Sequence, residues 1–466
     1  MSRWKKYGIR AGIVVLVLLV LGVTLIGPWP TYSAGFENAG YYKEAVAAIK
    51  ENASGVEATD SPGRLLAGWA SRIITPPKLV PMAGYGARKG KPAEGVHDDL
   101  FVKAIALSDG DDVAVIVGAD ILLAPENVAE MVREAVAEKT PLDANNLYFT
   151  ASHTHDSLGA WGPGLAARIS GGKYDPEIPP FLAEAFTAAI VDAYNSLGPA
   201  KLAHGEIDAP EFIRNRTREA PIDTLLSYML VEKEDNTRCY VVNYNAHPTT
   251  VGDKFMLYTG EYPGFLQRAL EREGASAVYV GGALGSSGPR APKGDTQIDR
   301  AKAMGEALAK LVIEDSVDAE FQTHLDVAAV GVGFELPPFQ LRLSRNWRLS
   351  PFLPAILGVD GDGWMHAVRI GDVVMVGAPG DFSSEISLKW KKWAEKCGYT
   401  MWTSSFCADY AGYISPDEYY NGPKAVEEYE TGMMSWTGPH QEAFFTALME
   451  QLVEAVGGAQ NLSERS

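Results

Sequence analysis

Apolar positions recur along this chain in three patterns: one long uncharged run, several short continuous runs, and stretches at helical spacing. The long run is Ala11 to Gly27, preceded by Arg3, Lys5, Lys6 and Arg10. At about 1.5 Å per residue it nearly crosses a hydrocarbon core of about 30 Å, and Tyr7-Gly8-Ile9 extends it. The apolar core is longer than a signal peptide needs, and Pro28-Trp29-Pro30 follows instead of a small-residue cleavage exit. The pattern predicts an uncleaved signal anchor over residues 1–30. Basic residues on its N-terminal side place that end in the cytoplasm and the body on the periplasmic or extracellular side, with Trp29 and Tyr32 suited to the outer interface.

Beyond the anchor, Ala45, Ala48 and Ile49 at helical spacing predict a short helix over about 38–51, and 52–63 reads as a polar linker. The body, 64–466, then alternates the other two patterns. Continuous apolar runs predict strands at Val113–Val117, Leu147–Phe149, Cys239–Tyr244, 278–281 and 373–377. After Pro125, Val128, Met131, Val132, Ala135 and Val136 mark one helix face. Further helices are predicted over 297–314, 384–396 and 439–456. Such alternation implies an α/β protein, with mixed sheets covered by helices in a single large catalytic domain.

Composition narrows the partners. A net charge of −18 on 466 residues argues against a nucleic-acid partner. Three cysteines are too few for a disulfide framework; Cys397 and Cys407 are spaced to pair, or all three are buried thiols. Candidate chemistry gathers at the ends of the predicted strands, where such folds place their sites. Ser152-His153-Thr154-His155 follows the strand ending near Phe149 and puts two imidazoles on one side of an extended backbone. Ala246-His247-Pro248 follows another strand, and Ala378-Pro379-Gly380-Asp381 follows a third. Tyr410-Ala411-Gly412-Tyr413 opens a tyrosine cluster. His97 reads as structural, and His204, His324, His366 and His440 have no motif around them.

Taken in order, these motifs resemble the catalytic domain of the neutral, non-lysosomal ceramidases. Ile73-Ile74-Thr75-Pro76-Pro77 and Met82-Ala83-Gly84-Tyr85-Gly86 are similar to the family's opening, so the likeness runs from about Ala67 to about Gly457. The resemblance implies a zinc ion (Zn2+) held by His153, His247, Asp381 and Tyr413, with Asp381 standing where the family usually has glutamate. It implies that His155 faces the substrate, that Arg216 reaches the site from Ile213-Arg214-Asn215-Arg216-Thr217, and that Tyr429 is a further site tyrosine. The family's G-D-x-S-P segment corresponds to Gly285-Ser286-Ser287-Gly288-Pro289. With Pro289 aligned, the serine position holds Gly288 and Ser287 sits one place early. Ser287 is the candidate for orienting the attacking water. The family's C-terminal β-sandwich has no counterpart before Ser466.

The expected function is a membrane-anchored zinc amidohydrolase of sphingolipid metabolism, cleaving an N-acyl lipid such as ceramide. Zinc activates water and polarises a carbonyl, so the reaction needs no serine nucleophile, and no good G-x-S-x-G elbow is present. Two other readings stay open: an esterase or amidase for a smaller substrate, and a membrane-tethered binding protein that keeps the fold without catalysis. The segment Leu341 to Leu357 mixes arginines with aromatic and aliphatic residues; it reads either as a membrane-touching stretch or as an ordinary packed excursion.

Overall fold

The continuous apolar runs form strands buried on both faces, and alternation explains why they need no polar side. A computed structural model describes residues 3–56, 62–359, 361–422, 427–428 and 430–457. Its main strands are β1 (Leu66–Ile73), β2 (Phe101–Ser108), β3 (Val113–Ala119), β4 (Leu147–Ala151), β5 (Gly198–Asp208), β6 (Leu225–Lys233), β7 (Arg238–Tyr244) and β8 (Ala275–Gly281), followed by β9 (Val327–Glu335), β10 (Asp362–Ile370), β11 (Val373–Gly377) and β12 (Thr400–Ser404). In β3, Val115 and Val117 enter one core while Ala114 and Ile116 enter another. In β7, Tyr240 and Val242 divide from Cys239 and Val241 in the same way.

The first eight strands make one mixed sheet in the order β8-β7-β6-β5-β1-β2-β3-β4. Its two outer pairs, β7 with β8 and β3 with β4, are parallel. The two halves join at a narrow seam, where β5 and β1 pair only at Leu66↔Pro199 and Ala67↔Gly198. The sheet curls until its two ends meet. A Cβ on Gly118 would lie 2.4 Å from the Tyr279 carbonyl oxygen, and one on Gly281 would lie 2.4 Å from that of Ala151. Only glycine permits that approach. The curl brings the ends of β4 and β7 together although they stand at opposite sides of the strand order.

The second sheet, β9-β10-β11-β12, packs on the inner face of the first. Helices α3 (Glu126–Ala137) and α5 (Ile178–Asn195) cover one half of the large sheet, and α6 (Glu261–Arg272) and α7 (Gln297–Asp315) cover the other. On the outside of the small sheet lie α2 (Gly40–Asn52), α9 (Ser384–Lys396) and α10 (Gln441–Gly457). The result is an α-β-β-α sandwich. The expected helix face after Pro125 is shifted slightly: Val128, Ala129, Val132 and Val136 are buried, while Met131 is exposed because the stripe centres one position away from it.

The long apolar run forms α1 (Arg3–Leu25), whose side chains are exposed from Trp4 to Leu21. It is long and apolar enough to cross a membrane. Cys239, Cys397 and Cys407 are free thiols, with Cys239 and Cys407 buried, so Cys397 and Cys407 do not pair. Part of the expected polar linker, residues 57–61, lies outside the described residues, as does Tyr429.

Candidate functional site

Four strands of the sandwich deliver side chains to one place from their carboxyl ends. Where β4 ends, Ser152 N–H donates to the Ala119 carbonyl and His153 N–H to that of Ile121. His153 then takes a left-handed backbone, φ 63°, an uncommon conformation for a non-glycine residue. Such strain persists where surrounding contacts impose it. Here the His153 ring stacks on Phe406, with centroids 3.9 Å apart. Phe406 is itself left-handed, at φ 62°. His155 is fixed differently. Gly84, at φ +96°, lies where a Cβ would come 2.6 Å from its ring, and Tyr85 packs against it at 4.6 Å.

The imidazoles are arranged as ligands. His153 Nδ1 is 2.5 Å from the Leu122 carbonyl oxygen and His247 Nδ1 is 3.2 Å from that of Leu284. When each Nδ1–H donates to its carbonyl, the Nε2 lone pairs are free for a cation. His155 Nε2 is 3.2 Å from His153 Nε2 and 3.0 Å from His247 Nε2. Tetrahedral zinc with bonds of about 2.0–2.1 Å holds its ligand atoms about 3.3 Å apart. Burial pushes the pKa of His153 down to about 3 and those of His155 and His247 well below the ordinary value, so all three imidazoles are neutral at pH 7.

Asp381 enters after β11. Its short strand, Asp381–Phe382, pairs in parallel with Tyr413–Ile414, and the register sets Asp381 beside Tyr413. Asp381 Oδ2 accepts from Tyr410 Oη at 2.9 Å. Asp381 Oδ1 lies 3.7 Å from His153 Nε2 and is buried with no hydrogen-bond partner among the described residues. Burial raises its pKa to about 7, opposed by the positive charge of Arg216 and by hydrogen bonds from Tyr410 and Tyr413. An orphaned carboxylate oxygen facing neutral imidazole nitrogens is the donor set that a divalent cation satisfies. His153, His247, Asp381 and Tyr413 therefore come together, as does Arg216, whose Nη2 donates to Tyr413 Oη at 2.9 Å and to the Gly285 carbonyl at 3.0 Å. Among the described residues, the side chains at mutual ligand spacing are His153, His155 and His247, and Asp381 Oδ1 approaches His247 on its Nδ1 side at 3.8 Å.

Ser287 is elsewhere in its contacts. Its hydroxyl is wholly buried, 2.7 Å from Ser384 Oγ and 3.3 Å from the Ala283 carbonyl. Neighbouring Ser286 donates to Glu385 at 2.7 Å. The strand Ser287–Pro289 pairs with Ile213–Asn215, and a Cβ on Gly288 would come 3.3 Å from that of Arg216. The segment thus carries Arg216 to the site. His97, His204, His366 and His440 bind Asp98, Asp372, the Asn145 carbonyl and the Ser33 carbonyl respectively.

Two participants were not evident from the sequence. Tyr410 is the first tyrosine of the Y-A-G-Y segment, and its spacing from Asp381 gives no hint of the bond. Arg88 sits beside exposed Lys89 in Gly86-Ala87-Arg88-Lys89-Gly90 but is buried, paired with Asp156 at 2.5 Å. The one sequence signal for it is the carboxylate directly after His155, which a buried cation must satisfy.

His153, His155, Asp381, Tyr410 and Tyr413 line the polar end of a cavity of about 500 Å³. Its remaining walls are mostly apolar and include Leu122, Trp161, Phe339, Leu341, Met434 and Trp436. That size and lining suit an apolar small molecule held by a few polar groups.

Residues 66–277 match the sequence model of the family described as neutral/alkaline non-lysosomal ceramidase, N-terminal. This segment resembles the neutral, non-lysosomal ceramidases. Comparison with curated protein sequences gives no match. Among solved structures, the chain is similar to the neutral ceramidase of Pseudomonas aeruginosa, with a TM-score of 0.71 and 18% identity, over 86% of this chain and 75% of that one. A ceramidase complexed with C2 is similar at a TM-score of 0.70 and 17% identity, over 87% of this chain and 76% of that one. The shared fold thus extends beyond the matched N-terminal segment.

Proposed function

We propose that this chain is a metal-dependent amidohydrolase that cleaves an N-acyl lipid of ceramide type, anchored by α1 with its body outside the cytoplasm. The observation that carries the reading is the convergence of three neutral imidazoles and an orphaned carboxylate oxygen at the polar end of an otherwise apolar cavity. His153, His247, Asp381 and Tyr413 would hold a zinc ion. When bound, zinc polarises the amide carbonyl and activates water. The chain's own residues do the rest. Arg216 holds the Tyr413 phenol and keeps positive charge beside the developing oxyanion. His155, whose Nε2 is 3.0 Å from His247 Nε2 and whose ring packs on Tyr85, would hydrogen-bond the substrate's polar group beside the metal. The apolar walls take the acyl chain. Ser287, bonded to Ser384, supports the loop that carries Arg216, and we infer that hydrolysis proceeds without an acyl-serine adduct.

The test is purified full-length protein, assayed on a panel of N-acyl lipids and acyl esters with and without chelation. Chelation should abolish hydrolysis of the N-acyl lipids and zinc should restore it. Full activity in a zinc-free His153→Ala/His247→Ala protein would refute the reading.

A further inference from the structure

Most loops place charge outward and apolar side chains inward. The segment from Leu341 to Leu357 does the reverse. Arg342 and Arg348 are buried, where Arg342 Nη1 donates to the Tyr420 carbonyl at 3.0 Å and Arg348 Nη1 to that of Phe339 at 2.7 Å. Leu343, Trp347, Phe352 and Ile356 point outward, each with about half of its surface exposed. Beside them, Leu165 and Ile169 on the short helix α4 (Leu165–Gly171) are exposed as well, and Met433 is 74% exposed. The two groups adjoin, because Gly164 and Gly358 approach so closely that a Cβ on Gly358 would sit 3.1 Å from the Gly164 Cα. Contiguous exposed apolar surface of this kind marks an interaction site.

The N-terminal helix identifies what covers it. The end of α1 is bonded directly to this segment. Ser350 Oγ donates to the Thr24 carbonyl at 2.6 Å and Ser350 N–H to that of Ile26 at 2.9 Å. Trp29–Pro30 then adds a strand to the hairpin of Arg342–Ser344 and Trp347–Arg348. The Trp29 ring meets Phe352 edge-on at 5.9 Å. No slack tether separates helix from patch. If α1 crosses a bilayer, its last turn lies at the interface, and the patch lies there with it. Exposed Arg345, between Leu343 and Trp347, is then level with the lipid headgroups.

The same segment walls the cavity. Leu341, Leu357 and Val359 line it from one side, and Ile169 and Met433 from others. We propose that this apolar rim is a membrane-docking surface set into the outer leaflet by α1, so that the cavity mouth opens onto the bilayer and takes its lipid substrate sideways from the membrane. An acyl chain then passes from lipid to cavity without crossing water, where its exposure is unfavourable. The proposal rests on reading the cavity as a lipid-amide site and α1 as a membrane span.

Two measurements on the full-length protein in phosphatidylcholine vesicles test it. An environment-sensitive fluorophore is attached at Ile356→Cys or, as a control, at Val317→Cys, each in a Cys397→Ser background. Val317 is 75% exposed, and adjacent Ser316 bonds Tyr240 near the start of β7, the end away from His247. Lipids brominated in their acyl chains should quench the Ile356 probe at least about twofold and leave the Val317 probe unchanged. Equal quenching at both sites, or none at Ile356, overturns the proposal whether or not the protein is an amidase. In the second measurement, Trp347→Glu/Phe352→Glu/Ile356→Glu should lower hydrolysis of a vesicle-embedded N-acyl lipid by about tenfold and spare a water-soluble short-chain N-acyl amide. Unchanged rates on both substrates, or an equal loss on both, contradict the docking role. A wild-type protein that cleaves neither substrate refutes the amidase reading, and the quenching result then decides the docking surface alone.

Discussion

At the scale of single residues, the site turns on Asp381. Its Oδ1 has no hydrogen-bond partner among the described residues, while Tyr410 holds Oδ2 at 2.9 Å. Asp381→Asn removes the charge and leaves a neutral amide in the donor set, so bound zinc, measured per chain by elemental analysis, should fall by at least about tenfold. Asp381→Glu adds one methylene but keeps the charge, and should retain part of both zinc and activity; equal zinc content in Asp381→Asn and wild type would contradict the ligand role. Ser287 provides the contrast. Its hydroxyl reaches Ser384 Oγ and the Ala283 carbonyl. Ser287→Ala should therefore lose less activity than the roughly 10²–10⁴-fold expected for removing a general acid or base. A mass-trapped acyl adduct on Ser286 or Ser287 during turnover would overturn the mechanism and leave the amidase reading standing. The sequence motifs indicated most of these residues because each follows an apolar strand. They gave no sign of the Tyr410 bond or of the left-handed backbone at His153, which depend on partners far along the chain.

At the scale of elements, the loops that hold the site need a fastening that no local pattern reveals. Arg88 supplies it. Its guanidinium donates to the carbonyls of Ala83, His155, Asp253 and Phe255 and to Asp156, tying three separate loops together. Arg88→Met strands the Asp156 carboxylate in a dry interior and should cost about 3–5 kcal/mol of stability. Arg88→Met/Asp156→Leu removes both charges and should recover much of that loss in a denaturant titration, yet kcat should stay depressed because the His155 carbonyl is no longer held. Recovery of full kcat along with stability would show that the pair only supports the fold. The long strands of the body were legible where both faces are buried, as in β3, β7 and β11, since a continuous apolar run then survives in the sequence. The β1 and β5 runs are mixed with polar residues, β9 is interrupted by Gly331 and Gly333, and the curl that joins β4 to β8 depends on Gly118 and Gly281, whose roles exist only in the folded sheet.

At the scale of the whole molecule, the two sheets enclose a core that also buries a titratable group distant from the cavity. His366, on β10, is fully buried where the small sheet meets the large one. Its Nε2 lies 2.7 Å from the Asn145 carbonyl oxygen, and its ring faces Tyr148 of β4 at 5.4 Å. Burial holds its pKa down to about 3, aided by the charge of Arg133. The folded value is below the unfolded value of about 6.5, so the unfolded chain takes up a proton first as pH falls. The stability tied to neutral His366 is present above pH ~6.5 and is lost as pH drops toward about 3. The slope is about 1.4 kcal/mol per pH unit, so roughly 2 kcal/mol should be lost between pH 6.5 and 5. The histidines of the site respond with the same sign, and wild type alone therefore reports their sum. His366→Phe keeps a ring against Tyr148 and forfeits the bond to Asn145 at every pH. Urea unfolding of detergent-solubilised protein at pH 7 and pH 5 should show the wild-type difference exceeding that of His366→Phe by about 2 kcal/mol. Identical pH dependence in the two proteins would mean that His366 is protonated equally in the folded and unfolded states, and that the contact between the sheets does not exclude its charge.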